Sequence, residues 1–166
     1  MLFRSQEGTY PLPEAQLDRF MFNILLTYLS FSDEVQMVKN TTSNQSMSLK
    51  KIISGNDILF YQNLIRKIPV AENVLQYAVN LVHKTRPNTS AATEKANQYL
   101  QWGAGPRASQ FLVLGAKCNA ALNGKYSPDI EDVKAIAAPV LRHRIVRNYK
   151  AEAEGIETDD IVKSLL

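Results

Sequence analysis

The 166-residue chain is short of several things, and each shortage narrows what it can be. Its one cysteine, Cys118, excludes an internal disulfide and a cysteine-based metal cluster. The two histidines, His83 and His143, lack carboxylates or cysteines at ligand spacing, so no metal site is expected. Seven glycines are scattered and nowhere form Gly-x-x-x-x-Gly-Lys-Ser/Thr. The nearest approach, Gly115-Ala116-Lys117-Cys118, falls inside a helical stretch, so a complete phosphate-binding loop is excluded. No apolar strand ends in Asp-Glu to hold magnesium. No apolar run can span a bilayer and the N-terminus has no signal-peptide core, which predicts a cytoplasmic protein without membrane insertion. A net charge of +3 is too small to argue for nucleic acid.

What remains is the composition of a globular protein, 45% hydrophobic and 21% charged, of a length that suits one domain or one domain with part of another. Its most informative stretch is Gly103-Ala104-Gly105-Pro106-Arg107-Ala108-Ser109. The glycines suit a tight entry turn, and Pro106 suits the first position of a helix. Phe111, Leu114, Gly115, Cys118, Ala121 and Leu122 then recur at helical spacing up to a stop at Asn123-Gly124. Cys118 lies on that stripe and is expected to be a buried thiol. Arg107 is the odd residue, because a cation in a first turn opposes the helix dipole. An anion bound among the free N–H groups would account for it, and so would a solvent-exposed arginine costing a few tenths of a kcal/mol. Spacing alone leaves both open.

Along the chain, Gly8, Pro11 and Pro13 make a constrained loop, and Pro13 opens a short helix carrying Glu14 to Arg19. Met21–Leu29 is almost uniformly apolar and reads as a strand buried on both faces, yet no second strand is there to pair with it. Everything from Ser32 onward reads helical: Ser32 as an N-cap with Val35 and Val38 facing inward, a polar linker at Thr41–Ser48, and a helix from Asn56 or Asp57 to about Lys67. Val74, Leu75, Ala78, Leu81 and Val82 give the next helix an inward stripe, closed by Arg86-Pro87. Asn88–Gln98 reads as a polar connection and Trp102 as a core anchor. Ser127 caps a helix running to about Ala138, where Pro139 breaks it, and Thr158 caps the last one. Arg142, His143, Arg144, Arg147 and Lys150 form a basic cluster followed by Glu152, Glu154 and Glu157, which reads as a self-compensating face.

Three segments occur in the order Glu7-Gly-Thr-Tyr-Pro-Leu-Pro-Glu-Ala-Gln-Leu-Asp-Arg-Phe20, Gly105-Pro-Arg-Ala-Ser109 and Val140-Leu-Arg-His-Arg-Ile145. This order resembles the C-terminal part of MoxR-type AAA+ ATPases. The resemblance implies a mainly α fold, a helical bundle of the AAA+ lid type with a short N-terminal remnant of the α/β core. Residues 1–30 would be that remnant, holding the arginine-finger segment and the last core strand. Residues 31–166 would be the lid with its C-terminal helix.

The same resemblance assigns roles. Arg19 matches the catalytic arginine finger that reaches a neighbouring subunit's nucleotide. Arg107 matches the sensor-2 arginine, with Gly105 and Pro106 beside it at the nucleotide phosphates. The parent would be a ring-forming, ATP- and Mg²⁺-dependent machine that matures or assembles protein complexes, with neighbouring subunits and von Willebrand factor A-domain proteins as partners. The sensor-1 Asn-Pro expected before Glu7 is missing. Because the phosphate-binding loop and the magnesium-binding acids are absent, the chain by itself is expected to be inactive and to bind no cofactor tightly, and Met21–Leu29, stripped of its sheet, to be disordered or to drive self-association. Two other readings compete: a free-standing helical interaction module with no nucleotide role, and, more weakly, a nucleic-acid binder using the Arg142–Lys150 cluster.

Overall fold

The apolar stripe of residues 74–82 does what its spacing dictates. In a computed structural model describing residues 12–43 and 49–166, Val74, Ala78, Leu81 and Val82 are the buried face of α4 (Glu72–Lys84). The described chain forms two compact units, one of residues 12–23 with Ile65–Leu166, the other of Ile24–Leu64.

The larger unit begins with the one-turn α1 (Glu14–Leu17) and continues after α4 through α5 (Glu94–Tyr99), β1 (Leu100–Trp102) and α6 (Pro106–Leu122). Then come α7 (Ile130–Ala135), α8 (Ala137–Leu141), β2 (Val146–Arg147), α9 (Tyr149–Ala153) and α10 (Thr158–Leu165). The architecture is mainly α, as expected, with β1 and β2 as a short antiparallel ribbon. The core gathers Leu81, Val82, Leu112, Val133, Leu141, Ile161 and Val162 from five helices. Burying each such side chain contributes roughly 1.5–3 kcal/mol.

The helix α6 is present with Pro106 at its first turn, but its buried face is Ala108, Leu112, Gly115, Ala116 and Ala120. Of the expected stripe, Gly115 is buried and Phe111 packs against the core, but the rest is out of phase: Leu122 is 87% exposed and Cys118 only half-buried, its thiol pKa raised by partial burial. Small residues make up most of the inner face and let neighbouring helices approach closely, with Leu112 the large side chain buried among them. The stop at Asn123-Gly124 is as expected. Gly124 takes φ +72°, Lys125 N–H bonds to Ala120 O at 2.8 Å and Gly124 N–H to Ala121 O at 3.1 Å, the paired bonds of a Schellman end.

Other caps are shifted. Asp129, not Ser127, caps α7, exchanging hydrogen bonds with Asp132. Ser127 instead donates to Pro69 O. Residue 136 breaks the helix, and Pro139 sits inside α8. Glu157, not Thr158, occupies the N-cap of α10. The connection at 88–98 contains α5, capped by Thr93, whose single buried residue is Ala96.

In the smaller unit, α2 (Phe31–Thr42) is capped by Ser30 rather than Ser32, and neither Val35 nor Val38 is buried. The start of α3 (Gly55–Lys67) is capped by Ser54, whose hydroxyl accepts from Asp57 N–H while Asp57 accepts from Ser54 N–H, displacing the expected cap by two or three residues. Residues 24–29 form no strand, and Ile24, Leu25, Leu26, Tyr28 and Leu29 are exposed. A doubly buried strand needs ladder partners on its edges, and no described segment supplies one. Of the linker expected at 41–48, Thr41 and Thr42 lie in α2, Ser43 is its C-cap, and residues 44–48 lie outside the described residues.

Candidate functional site: the first turn of α6

The turn into α6 is fastened to the end of α4. Thr85 Oγ1 accepts from Ala104 N–H at 2.9 Å and donates to Val82 O at 2.6 Å, and Arg86 Nε donates to Ala104 O at 3.0 Å. This closeness explains Gly103, where a Cβ would lie 2.4 Å from Thr85 O and 2.6 Å from Arg86 Cα. Gly105 is different: it caps α6 in extended backbone, φ −81° and ψ 176°, with open space where a Cβ would stand. Neither glycine has positive φ, so close approach, not left-handed freedom, is what the turn asks of Gly103.

Arg107 projects from the first turn of α6, 42% exposed, and its Nη1 donates to Asp18 Oδ2 at 2.5 Å. Asp18, the residue after α1, gives its other oxygen to Arg144, whose Nε lies 2.9 Å from Oδ1. Arg144 is the surprise of the site, with a side chain 1% exposed. It donates to the carbonyls of Asp18 (2.8 Å), Phe20 (2.5 Å), Met21 (3.2 Å) and Val140, and its guanidinium lies 4.9 Å from the centre of the Phe111 ring. A buried guanidinium is tolerable when its donors are used and a carboxylate faces it. Burial nevertheless lowers its pKa, with Asp18 opposing.

The residues beside it work alike. Arg142 Nε and Nη2 grip Asp159 at 2.9 and 2.7 Å while Nη1 donates to Asn23 O at 2.7 Å. His143 Nε2 meets Phe20 O at 3.0 Å. Burial is the main cause that lowers the His143 pKa, and its Nδ1 has no partner. Three consecutive side chains thus hold the backbone of residues 18–23. The basic cluster is compensated, though only in part by the acids that follow it: Arg147 pairs with Glu157 at 3.3 Å and Lys150 with Glu154 at 3.9 Å, whereas Arg142 and Arg144 use Asp159 and Asp18.

A cleft of about 200 Å³ opens beside this network, lined by Glu14, Asp18, Trp102, Gly105, His143 and Arg144. Trp102 stands at it 62% exposed and is no core anchor, because β1 buries only Leu100. Pro106 begins α6 behind Gly105. Arg19, one residue beyond Asp18, is exposed and makes no ion pair among the described residues. The structure therefore brings Arg107 and Asp18 together and leaves Arg19 exposed beside them. Among the described residues, no group of three or more His, Cys, Asp or Glu stands close enough to hold a metal ion.

The pattern of the AAA lid domain matches residues 92–165, which run from before α5 to the end of α10. Across 96% of the chain, 32% of residues are identical to Chaperone MoxR1 of Mycobacterium tuberculosis, covering 42% of that protein. Protein MoxR of Paracoccus denitrificans is 30% identical over 84% of the chain and 44% of its own length. The chain belongs to the MoxR-type AAA+ family and corresponds to its C-terminal, lid-bearing part.

YeaC of Bacillus subtilis, a protein described as uncharacterised, shares 32% identity over 96% of this MoxR-type chain and 48% of its own length. The chain thus spans under half the length of these curated relatives. A crystal structure of a Cytophaga hutchinsonii protein assigned as an ATPase superimposes with a TM-score of 0.87 at 41% identity, over 98% of this chain and 49% of that one. Among the described residues of this lid, no helix is long and apolar enough to cross a membrane.

Proposed function

We infer that this MoxR-type lid serves an ATP-driven, chaperone-like machine, and that Arg107 is its sensor for the phosphates of bound nucleotide. The observation that carries the reading is the position of Arg107. A guanidinium at the first turn of a 17-residue helix, beside Gly105 and Pro106, adds a half-exposed cation to unpaired backbone N–H groups. That donor set fits a phosphate. Magnesium and the phosphate-binding loop would come from the other half of a longer ATPase, with residues 1–30 completing its α/β core.

Arg19 would act in trans. It is exposed on the residue next to Asp18, a position from which it can face a neighbouring subunit of a ring. Bound ATP supplies the phosphoryl group; this chain supplies positive charge where negative charge develops, a contribution of about 10³–10⁵ in rate for arginine fingers. The clients would be protein complexes under assembly, with von Willebrand factor A-domain proteins as partners.

The test is ATP turnover by this lid within a longer protein carrying a phosphate-binding loop, with and without Arg19→Ala and Arg107→Ala. Turnover should collapse in both variants. Mixing Arg19→Ala subunits with subunits lacking the loop lysine should restore part of it, because finger and nucleotide come from different chains. Normal turnover in both variants would leave the helical interaction module as the better reading.

A further inference from the structure

We propose that Asp18 is an internal counter-ion that competes with phosphate for Arg107 and so ties the occupancy of that arginine to the segment bearing Arg19. The proposal rests on the phosphate-sensor reading of Arg107 and adds a residue to it.

Three observations carry it. The two oxygens of Asp18 are divided between two arginines, Oδ2 to Arg107 at 2.5 Å and Oδ1 to Arg144 at 2.9 Å. The two pairs differ in burial: Arg144 is enclosed and Arg107 is 42% exposed. Asp18 also sits in a segment whose backbone Arg142, His143 and Arg144 hold from Asp18 to Asn23.

The division makes exchange feasible. A phosphate arriving at the first turn of α6 must draw Arg107 from Asp18, since Nη1 is committed there. Losing Arg107 does not leave Asp18 as an uncompensated charge, because Arg144 still pairs with Oδ1 and with the Asp18 carbonyl. Only the exposed pair is broken, and such pairs are weak. The carboxylate meanwhile repels the incoming anion until Arg107 turns, so it opposes binding at that stage. Because Asp18 directly precedes Arg19, releasing Oδ2 frees the end of α1 from α6 and leaves the segment bearing Arg19 held by Arg142, His143 and Arg144 alone. Occupancy at Arg107 thereby decides, through the carboxylate of Asp18, whether the segment bearing Arg19 is tied to α6.

The test uses the full chain and inorganic pyrophosphate as the probe, with affinity measured by titration calorimetry at constant low salt. Asp18→Asn keeps an oxygen for Arg144 but removes the competing charge, and should tighten binding about threefold to tenfold. In an Arg107→Ala background the same substitution should change nothing. Glu14→Gln removes a carboxylate from the same cleft without touching Arg107, and should have a smaller effect than Asp18→Asn.

Several results would overturn the proposal: Asp18→Asn binding no tighter than the parent, a gain that persists without Arg107, a gain matched by Glu14→Gln, or no pyrophosphate binding by any variant. If Arg107→Ala binds as well as the parent, the phosphate-sensor reading itself is wrong. If Arg107→Ala weakens binding while Asp18→Asn does not alter it, only the counter-ion is wrong. Guanidinium nitrogen spectra give a second measurement that does not depend on affinity. Arg107 should rotate more freely in Asp18→Asn while Arg144 stays restrained, and unrestrained Arg107 in the parent would also overturn the exchange.

Discussion

Arg144 and Asp18, 126 positions apart in the chain, share an Nε–Oδ1 ion pair of 2.9 Å that fastens the segment after α1 to the segment after α8. Four carbonyl contacts accompany it, so the guanidinium acts as a backbone clamp as much as an ion-pair partner. Arg144→Ala should destabilise the larger unit by about 3 kcal/mol, since it removes one side of a buried pair and strands its acceptors. Urea unfolding measures the loss, and hydrogen exchange should locate it in residues 18–23. Arg144→Lys should recover little, because an ammonium cannot span the same fork of acceptors.

The two glycines before α6 should separate cleanly. Gly103→Ala places a methyl against backbone of Thr85 and Arg86 and should cost about 2–3 kcal/mol. Gly105→Ala meets open space and should change stability by less than about 1 kcal/mol. Thermal unfolding of both variants checks this. A phosphate-binding defect in Gly105→Ala with normal stability would mark close approach of ligand to backbone.

Stability should depend on His143 in a defined direction. Its folded pKa lies below the ordinary value near 6.5, mainly through burial, so the unfolded chain takes up the proton first. The unfolded state then binds more protons, and stability falls as pH drops below about 6.5 until the folded histidine is itself protonated. Urea midpoints between about pH 7 and pH 5 should show this decline, and His143→Gln should flatten it.

The start of α7 rests on Asp132, a buried carboxylate bonded to Asp129 N–H at 2.9 Å, Asn119 Nδ2 at 2.8 Å and Lys125 Nζ at 3.1 Å. Asp132→Ala removes half of the capping box and leaves the Asn119 amide without its acceptor. A loss of about 2–3 kcal/mol in unfolding free energy is expected. Asp129→Ala, with a more exposed side chain, should cost nearer 1 kcal/mol.

Long helices with large apolar residues were readable, and α4 matches its stripe nearly residue for residue. The phase of α6 was not, because its inner face is mostly Ala108, Gly115, Ala116 and Ala120, residues that carry little hydrophobic signal, while Leu114 and Leu122 draw the pattern to the wrong side. The short α5 was lost in a polar stretch with one buried alanine. At the site, Arg107 stood out by its place in a first turn, but its partner could not be seen, since Asp18 meets it only through tertiary contact 89 positions away. Arg144 hid among other cations. Its one visible signal was position: it directly precedes Ile145 in the apolar pattern Val140, Leu141, Ile145, where a solvated charge is out of place. Trp102 misled for the opposite reason, since size argues for burial and a ribbon edge can leave a large ring outside.

The small-residue face of α6 has a mechanical meaning. Seventeen residues make a rod of roughly 25 Å, its small-residue face laid against the core, tied to another segment by Asp18 at the first turn and closed on its own carbonyls by the Schellman bonds at the last. If a ligand displaced Arg107, the helix would carry that movement toward Asn123, on the far side of the core from the first turn's tie to Asp18.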